Sequence, residues 1–452
     1  MSKNHTAAII LAAGKGTRMK SGLHKVLHPI GGLPMVSHLL GTLDGLSPER
    51  RIVVVGSLQE QVEAALPGLE FVTQAEQLGT GHAVMVCREA LKDFAGDVIV
   101  LFGDVPFTPL NVMQEMMAAR ASSANPGIVV LGFEPADPAR YGRLVRGGDG
   151  TLERIVEYKD ATEEERAITL CNSGMMVIDG NKLFGWLDKL SNANAAGEYY
   201  LTDLVAAARG DGRNVAVVVA DEADVLGIND RNDLAAAEAA FQARKRREMM
   251  TNGVTLVAPE TVFFSHDTII EPDVTVEPNV VFGPGVTVAT GAVIHAFSHL
   301  EGATVAADAV IGPFARLRPA AHIGKGAKIG NFVEVKKADI EPGAKVNHLS
   351  YIGDATVGAK ANIGAGTITC NYDGYFKYRT EIGAGAFIGS NTALVAPVKV
   401  GDGAIVGAGS VITKTVEADA LALTRASQNQ IEGYAARFRK KSEARKAEKK
   451  GK

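Results

Sequence analysis

The stretch VEPNVVFGPGVTV, residues 276–288, carries an apolar residue at every sixth position, and it decides the fold of the C-terminal half. An α-helix repeats every 3.6 residues and a strand every two, so neither accounts for this period. A coil of three short strands does, with one apolar side chain per face pointing inward. The period therefore predicts a parallel β-helix of hexapeptide repeats. The residues predicted to point inward are Ile270, Val276, Phe282, Val288, Ile294, Leu300, Val305, Ile311, Leu317, Ile323, Ile329, Val335, Ile340, Val346, Ile352, Val357, Ile363, Ile382, Ile388, Leu394, Val400, Val406 and Ile412.

Three continuous apolar runs mark the N-terminal half, at residues 7–11, 52–55 and 98–102. Such runs are typical of strands buried on both faces of a parallel sheet. Residues 35–43 and 58–66 have the character of helices. This alternation of strands and helices predicts an α/β domain with a Rossmann-like, mostly parallel sheet. Further strands are expected at residues 127–133, 174–178 and 215–219.

The change of pattern along the chain predicts two domains and a connector. Residues 232–250 contain no Gly or Pro and are rich in Ala, Glu, Arg and Lys, which predicts a long helix. The six-residue period ends near Val416. We expect an α/β domain at residues 1–230, a helical linker at 231–252, a hexapeptide-repeat domain at 253–433 and a basic, mobile tail at 434–452.

The composition excludes several classes of protein. The 452 residues suit two or more domains, and a formal charge of −4 gives no reason to expect nucleic-acid binding. The cysteines Cys87, Cys171 and Cys370 have neither disulfide nor zinc spacing, which favours a reducing cytoplasm. No charged-then-apolar leader and no run of about 18 apolar residues is present, so we expect no export and no membrane span.

A glycine-rich segment, LAAGKGTRM at residues 11–19, follows the first apolar run directly. Such a turn lets backbone N–H groups converge on a phosphate, although it also suits a purely structural role. Two common phosphate loops are excluded, because Gly16 stands where a Walker loop has Ser or Thr, and Met19 stands where a dinucleotide loop has Gly. Lys25 follows Arg18 by seven residues. One loop can therefore direct two cations to one triphosphate.

Asp104 comes directly after the third apolar run, in LFGDVP. A carboxylate at the C-terminal end of a parallel strand points into the crevice where ligands bind. Beside phosphates its natural ligand is Mg²⁺. The alternative is a turn-initiating Asp before Pro106, which would need no ligand.

Three motifs together carry a resemblance to a known family. Residues 11–19 with Lys25 resemble the entry motif of sugar-phosphate nucleotidyltransferases, and QAEQLGTGHA at 74–83 resembles their uridine-binding loop. With NIGAGTITCNYDG at 362–374, the chain resembles the bacterial bifunctional N-acetylglucosamine-1-phosphate uridyltransferases/glucosamine-1-phosphate acetyltransferases. The resemblance extends to about Gly433. It implies acetylation of glucosamine 1-phosphate by acetyl-CoA, followed by coupling to UTP, for cell-envelope synthesis.

For uridyl transfer, the resemblance implies that Arg18 and Lys25 meet the phosphates of UTP. It also implies that Asp104 and Asn229 hold Mg²⁺. Two positions depart from the family pattern: Phe102 replaces an expected Tyr, and His24 replaces an expected Pro, which is predicted to loosen the loop before Lys25. The implied nucleotide- and sugar-binding residues are Leu11, Ala12, Ala13, Gly14, Gln74, Gly79, Thr80, Gly142, Glu157, Asn172, Tyr200 and Thr202.

For acetyl transfer, the resemblance implies that His348 is the general base and that Glu334 orients or supports it. A neutral amine must attack the thioester, and His accepts a proton near neutral pH. The period breaks between Thr369 and Glu381, so residues 371–377 must leave the β-helix as a loop. The implied amino-sugar contacts are Arg318, Lys336, Tyr351, Asn362, Asn371 and Tyr372, and the implied acetyl-CoA contacts are Ala365, Ser390, Ala408 and Arg425.

The resemblance also implies a left-handed β-helix and a homotrimer whose acetyl sites are shared between subunits. Two alternatives compete with the bifunctional enzyme: a nucleotidyltransferase with a non-catalytic, oligomerising β-helix, and a β-helical scaffold with an inert N-terminal domain. The first alternative predicts no base at position 348 and no Asn-Tyr loop. The second predicts no combination of Arg18, Lys25 and Asp104. All of these residues are present, which favours two activities.

Overall fold

The computed structural model describes residues 5–138, 141–148 and 150–450. Two compact units divide the chain between Lys245 and Arg246, and helix α9 (Arg231–Thr251) crosses the division. The other helices of the first unit are α1 (Met35–Leu43), α2 (Gln59–Ala65), α3 (Thr80–Met85), α4 (Leu110–Arg120), α5 (Glu163–Arg166), α6 (Gly180–Leu187), α7 (Leu204–Gly210) and α8 (Glu222–Val225). Its strands are β1 (Thr6–Leu11), β2 (Pro29–Ile30), β3 (Leu33–Pro34), β4 (Arg50–Val55), β5 (Glu70–Thr73), β6 (Asp97–Phe102), β7 (Ile128–Phe133), β8 (Arg143–Arg146), β9 (Leu152–Val156), β10 (Cys171–Asp179) and β11 (Val215–Ala220).

Nine strands of the described first unit form one sheet, in the order β11-β7-β10-β6-β1-β4-β5, with the hairpin β8–β9 attached to β10. Neighbours along that order are parallel except at β10, which is antiparallel to both β6 and β7. Strand β1 is fully buried, with Ala8 and Ile10 in one core and Ala7 and Ile9 in another. Successive side chains of a strand point to opposite faces. The predicted Rossmann-like, mostly parallel sheet is confirmed.

The parallel strands β1, β4, β5 and β6 end at the same edge of this sheet. Ligands of open α/β sheets bind outside such carboxyl ends. The segments that leave this edge carry Gly14 after β1, Gly56 after β4, Gln74 after β5 and Asp104 after β6. The sheet therefore brings together residues that lie far apart in the sequence.

The second unit is a stack of short parallel strands. Thr275 pairs with Val293, eighteen residues later, and Val293 pairs with Val310, seventeen residues later. Every residue predicted to point inward is buried, and the most exposed of them, Ile270, is 7% exposed. The predicted parallel β-helix is confirmed. Its strands are β12 (Thr255–Leu256), β13 (Ile269–Ile270), β14 (Thr275–Val276), β15 (Val281–Phe282), β16 (Thr287–Val288), β17 (Val293–Ile294), β18 (His299–Leu300), β19 (Ala303–Val305), β20 (Val310–Ile311), β21 (Arg316–Leu317), β22 (Ala321–Ile323), β23 (Lys328–Asn331), β24 (Glu334–Ile340), β25 (Lys345–His348), β26 (Tyr351–Val357), β27 (Asn362–Ile363), β28 (Ile368–Cys370), β29 (Thr380–Ile382), β30 (Phe387–Ile388), β31 (Ala393–Val395), β32 (Val398–Val400), β33 (Ile405–Val406), β34 (Val411–Ile412) and β35 (Leu421–Ala422).

Two features of the second unit differ from a uniform repeat. Asn362 pairs with Phe387, twenty-five residues later, because the predicted loop after Thr369 adds seven residues to one coil. The regular coils do not end near Val416, since β35 still pairs with β33 through Ile405 and Leu421. The six-residue period misses this last coil because its inward position is the small residue Ala422.

The C-terminal segment, expected to be a mobile basic tail, contains a helix, α10 (Tyr434–Lys450), of 17 residues. All of its residues are exposed. No helix within residues 5–138, 141–148 and 150–450 is long and apolar enough to cross a membrane.

Candidate functional site

An open cavity of about 250 Å³ lies at the carboxyl edge of the first unit's sheet. Its lining includes residues 11–14 of the glycine-rich segment and residues at the ends of β5 and β6. This arrangement brings together nine of the predicted site residues: Leu11, Ala12, Ala13, Gly14, Lys25, Gln74, Gly79, Thr80 and the predicted metal ligand Asp104.

Lys25 is the centre of the polar part of this cavity. Its Nζ forms an ion pair with the Asp104 carboxylate and donates a hydrogen bond of 2.9 Å to Asn229 Oδ1. Arg18 Nη2 donates to the same Asn229 oxygen over 2.9 Å. A Cβ atom at Gly16, whose φ is +57°, would lie 2.6 Å from Lys25 Cβ. Only glycine therefore lets the loop close over this lysine.

The two predicted metal ligands are held against each other by the main chain. Ile228 N donates to the carbonyl oxygen of Asp104 over 2.9 Å, which fixes the next residue, Asn229, beside it. Asn229 N donates to Asp233 Oδ2 over 2.8 Å at the start of α9. Both side-chain oxygens consequently face one cationic group, Lys25.

His24 does not loosen the loop as the sequence predicts. The residue is 3% exposed, its backbone N–H donates to Gln61 Oε1 over 2.8 Å, and its Nδ1 accepts from Val26 N. Burial, reinforced by the charge of Lys25, lowers the pKa of His24. A neutral, buried His24 thus caps the short 3₁₀ turn that carries Lys25.

The predicted sugar contacts form a second group in the same unit. Thr202 Oγ1 donates to Glu157 Oε1 over 3.5 Å, and Asn172 N donates to Gly142 O over 2.9 Å. A Cβ atom at Gly142 would lie 3.5 Å from the Glu157 carboxylate, so these four residues are neighbours. Burial raises the pKa of Glu157, and the Thr202 hydroxyl opposes that shift. Tyr200 directly precedes the turn that carries Thr202.

Phe102, the residue found where a Tyr was expected, packs closely against the neighbouring strand. A Cβ atom at Gly174, whose φ is +91°, would lie 2.7 Å from the Phe102 ring. The ring also lines the cavity. Phe102 therefore packs against β10 as an apolar wall, without a hydroxyl to offer a ligand.

In the second unit, predicted residues line up on one corner of the β-helix. Main-chain hydrogen bonds link consecutive coils there: Leu349 N to Asn331 O, Gly366 N to His348 O, Asn391 N to Ala365 O, and Gly409 N to Ser390 O. At the end of this series, Arg425 Nη1 donates a hydrogen bond of 2.8 Å to Ala408 O. We call this series the corner column; its members are Asn331, His348, Ala365, Ser390, Ala408 and Arg425. The predicted base and all four predicted acetyl-CoA contacts therefore belong to one line.

The partner of His348 differs from the predicted one. His348 Nδ1 lies 2.7 Å from Asn331 Oδ1, on the coil before it. Glu334, predicted to orient or support His348, instead accepts a hydrogen bond of 2.8 Å from Arg318 Nη1. Sequence reasoning missed Asn331, although its spacing of seventeen residues from His348 equals one coil and could have revealed it.

Three cations converge beside this corner. Arg316 and Glu334 are paired on neighbouring parallel strands. Arg318 and Lys336 each follow two residues later, so they lie next to each other on adjacent coils. The charge of Arg318, followed by that of Lys377, lowers the pKa of Lys336. Glu334 offsets only part of this charge. The excess positive charge suits a phosphate, and Lys377, supplied by the inserted loop, is a cation that sequence reasoning did not assign.

The two predicted amino-sugar contacts in the inserted loop, Asn371 and Tyr372, differ in exposure and in hydrogen bonding. Asn371 is 7% exposed, and its Nδ2 donates to Asp354 Oδ2 over 2.5 Å. The Tyr372 ring is 59% exposed, and its hydroxyl donates to Gly374 O. Tyr351 pairs with Glu334, and Asn362 pairs with Lys345 on the adjacent coils. Tyr372 is thus the residue of this group most available to a ligand.

An exposed apolar ladder runs beside the corner column. Its members are Phe297, Phe314, Phe332 and Leu349, each in the turn or bend at a coil corner and each with φ between +50° and +61°. The Phe297 and Phe314 rings stack at 4.9 Å, and the Phe314 and Phe332 rings at 5.1 Å. The four side chains are 45–63% exposed. Exposed apolar surface of this kind typically marks an interface.

The comparisons with known proteins agree with this two-site architecture. The MobA-like NTP transferase domain family matches residues 8–167, and the bacterial transferase hexapeptide family matches residues 267–302 and 379–414. A protein of Paramagnetospirillum magneticum, named bifunctional protein GlmU, is 58% identical over 99% of this chain and 100% of its own length. The chain belongs to the bifunctional GlmU family. GlmU proteins of Rhizorhabdus wittichii and Rhodospirillum rubrum are each 59% identical, over 100% and 96% of the chain and 100% and 97% of their own lengths.

Membership of the GlmU family confirms the family that the sequence motifs predicted. It also confirms the predicted transferase with two activities, acetyl transfer and uridyl transfer. The alternative with a non-catalytic β-helix is disfavoured, because the similarity to GlmU spans both units. Within the first unit, sequence reasoning did not assign His82 or Gln77, although both lie in the uridine-loop motif; Gln77 Nε2 donates to Ala13 O over 3.1 Å.

Proposed function

We propose that each unit carries one of the two reactions: uridyl transfer in residues 1–230 and acetyl transfer in residues 253–433, joined by the helical linker 231–252. Two observations carry the proposal. In the first unit, Asp104 and Asn229 both bind Lys25 at the cavity, and in the second unit the corner column aligns the predicted acetyl-transfer residues. No residue has a proposed role in both reactions.

In uridyl transfer, a phosphate oxygen of N-acetylglucosamine 1-phosphate attacks the α-phosphorus of UTP, and pyrophosphate leaves. The protein's task is placement and neutralisation of charge rather than covalent chemistry. The backbone from Leu11 to Gly14 holds the nucleotide, and Arg18 and Lys25 meet its phosphates. Glu157 and Thr202 bind the acetylamino sugar, with Gly142, Asn172 and Tyr200 beside them.

The first unit has suitable ligands for Mg²⁺. Asp104 and Asn229 offer two hard oxygen atoms that already face one cationic centre, which is the donor type that this ion prefers. The described residues contain no group of three or more His, Cys, Asp or Glu side chains that would bind a metal by themselves. We therefore propose that phosphate and water oxygens complete the ligand set. The ion, when bound, would neutralise charge on the reacting phosphates.

In acetyl transfer, the amine of glucosamine 1-phosphate attacks the thioester carbonyl of acetyl-CoA. A C–N bond forms, the C–S bond breaks, and the CoA thiol leaves. The amine is an ammonium near neutral pH, so His348 must take a proton from it. Arg318, Lys336 and Lys377 bind the sugar phosphate, and Asn331 Oδ1 accepts the Nδ1 proton of His348, which leaves Nε2 as the base.

A single assay tests both halves of the proposal. Purified enzyme is given glucosamine 1-phosphate, acetyl-CoA, UTP and Mg²⁺, and free thiol and pyrophosphate are followed separately. We expect both products, with pyrophosphate also released directly from N-acetylglucosamine 1-phosphate and UTP. Pyrophosphate without any thiol would mean that the β-helix serves only for oligomerisation.

Replacing Glu157 by glutamine should stabilise the first unit while weakening the sugar site. Because burial raises the pKa of Glu157, the folded state binds a proton that the unfolded state releases, and the carboxylate costs stability as pH rises above its unfolded pKa of about 4.3. The variant should therefore unfold a few degrees higher at pH 8 and show no gain at pH 4. The KM for N-acetylglucosamine 1-phosphate should rise about tenfold.

Trp186 makes this measurement specific to the first unit. It is the single Trp of the chain, and it is 1% exposed in the core beneath the sheet. Its fluorescence therefore follows unfolding of that unit alone. Replacing the exposed Glu164 by glutamine should change neither quantity. The compared quantity is the unfolding temperature of Glu157→Gln minus that of wild type. If this difference were smaller at pH 8 than at pH 4, the burial argument would be contradicted.

We also propose that the enzyme is a homotrimer and that the apolar ladder lies in its subunit interface. Four exposed apolar side chains at positive φ are costly unless something covers them. A second copy of this chain would cover the ladder beside His348 and so complete an acetyl site shared between subunits. The match to the hexapeptide-repeat family supports oligomeric assembly.

The double variant Phe314→Asn, Phe332→Asn should dissociate the oligomer without unfolding the β-helix. Asn tolerates the left-handed backbone of these positions better than Phe does, so the coil corners should be at least as stable. Acetyl transfer should fall at least about tenfold in dilute enzyme, while uridyl transfer persists. Sedimentation velocity gives the oligomeric state. The control is the variant Phe314→Leu, Phe332→Leu, which keeps the apolar surface, as Leu349 does naturally. If the double Asn variant sediments as the same oligomer as wild type, the proposed interface is wrong.

We place the enzyme in the cytoplasm. The free cysteines Cys87 and Cys171 are buried and Cys370 is partly exposed, and none is paired with another. Such thiols suit a reducing compartment, and the substrates UTP and acetyl-CoA are supplied there.

A further inference from the structure

The Gln74 side chain is held in one orientation inside the nucleotide cavity. It is 3% exposed, and its Nε2 donates to Gly79 O over 3.0 Å. The same Nε2 lies 3.1 Å from His82 Nδ1. A carbonyl oxygen can only accept, so the amide atom that faces Gly79 must be the NH₂ group. Oε1 consequently points away from both partners, and no described residue donates a hydrogen bond to it.

His82 supplies the second acceptor for this amide. Nδ1 can accept only when the ring is neutral and its proton is on Nε2. His82 lies on α3 in a segment that is fixed from both sides: Tyr199 N donates to Leu78 O, and Gly81 N donates to Tyr199 O, each over 2.8 Å. The Tyr199 ring lies 6.5 Å from the His82 ring. The imidazole is therefore placed by the fold before any ligand arrives.

A nucleotide base that reached Gln74 Oε1 in this cavity would meet a hydrogen-bond acceptor. Uracil offers a donor, N3–H, on its Watson–Crick edge, whereas cytosine has an acceptor at the same atom. A site built to hydrogen-bond one of these rejects the other, because a buried polar atom would be left unpaired or would face another acceptor. Loss of the His82 acceptor would leave Gln74 with one fewer restraint against turning its NH₂ group toward the ligand.

We propose that His82 is a positioning residue that keeps Gln74 in its uracil-reading orientation and thereby sets the preference of uridyl transfer for UTP over CTP. The inference rests on the proposed uridyl site. It concerns the base alone: a methyl group at carbon 5 of uracil leaves N3–H in place, so 5-methyl-UTP should be treated as UTP is.

The test compares His82→Leu with His82→Asn in the full-length enzyme. Leucine removes the acceptor. Asparagine restores it, because its Oδ1 takes the place of Nδ1. We expect the ratio of kcat/KM for UTP to that for CTP to fall at least about tenfold in His82→Leu and to stay within about twofold of wild type in His82→Asn. The ratio of UTP to 5-methyl-UTP should not change in either variant.

The alternatives give different results. An unchanged UTP-to-CTP ratio in His82→Leu would overturn the proposal, and so would an equal loss in both variants, which would mean that His82 acts through packing alone. If His82→Leu turns over no nucleotide, calorimetric binding of UTP and CTP with Mg²⁺ supplies the same ratio and decides in the same way. Wild-type enzyme that releases no pyrophosphate from UTP would instead remove the proposed uridyl site itself.

Discussion

Replacing Asp104 by asparagine should lower uridyl transfer by about 10²–10³-fold and leave acetyl transfer unchanged. The change keeps the size of the side chain and removes its charge. Asp104 is the carboxylate that faces Lys25, and it is one of two oxygen ligands proposed for Mg²⁺. Without it, charge on the triphosphate and the pyrophosphate leaving group is less well neutralised. The loss should appear in kcat more than in the KM for the sugar phosphate, because the charge matters most as the bond breaks.

The matched control is Asp188→Asn. Asp188 also pairs with a cation, Arg88, but its side chain is 62% exposed and lies outside the cavity. This variant should keep both activities. Pyrophosphate and free thiol are measured on the same preparation of each variant. A parallel loss of both activities in Asp104→Asn would point to a folding defect, and an unchanged rate of pyrophosphate release would remove Asp104 from the site.

The second large effect is expected from His348→Ala, which should lower kcat for acetyl transfer by about 10²–10⁴-fold. The glucosamine 1-phosphate ammonium cannot attack a thioester, and His348 is the His of the corner column. The KM for acetyl-CoA should change little, since Ala365, Ser390 and Ala408 remain in place. Uridyl transfer should persist because its residues lie in the other unit.

His322→Ala provides the control for this result. His322 is also on a β-helix coil, where its Nδ1 lies 2.8 Å from Thr304 Oγ1, but it belongs to a different face from the corner column. Its removal should leave acetyl transfer near wild type. Retention of most of the kcat by His348→Ala across neutral pH would assign the base elsewhere, with Glu334 as the next carboxylate to test.

The backbone of both units could be predicted because burial leaves a periodic trace. A six-residue period needs one inward side chain per face, and residues such as Ile329 and Val346 supply it on every coil. Strand direction leaves no such trace. The apolar run that contains Met176 and Val177 reads alike in a parallel and an antiparallel strand, so the reversal at β10 could not be seen.

The candidate sites were predicted less completely than the fold. Residue types and motifs identified Lys25, Asp104 and His348, but side-chain partners depend on geometry that a motif does not encode. Glu334 has the right charge to support His348, yet Arg318 takes its carboxylate, and a neutral amide at Asn331 meets the imidazole instead. The proposed uridyl and acetyl roles of these residues stay predictions until the variants are measured.

The corner column sets fixed distances along the β-helix, because its members lie on successive coils at the spacing of neighbouring strands. Neighbouring strands of a sheet lie about 4.8 Å apart, so the three strand spacings from His348 to Ala408, whose carbonyl oxygen binds the Arg425 guanidinium, span roughly 14 Å. A long, thin carrier arm laid along this line would place its thioester at one end and its charged end at the other. The number of coils between the two residues, rather than any single side chain, would then decide which acyl carriers fit. We expect such an enzyme to tolerate substitutions in the corner column far better than the deletion of one coil from the β-helix.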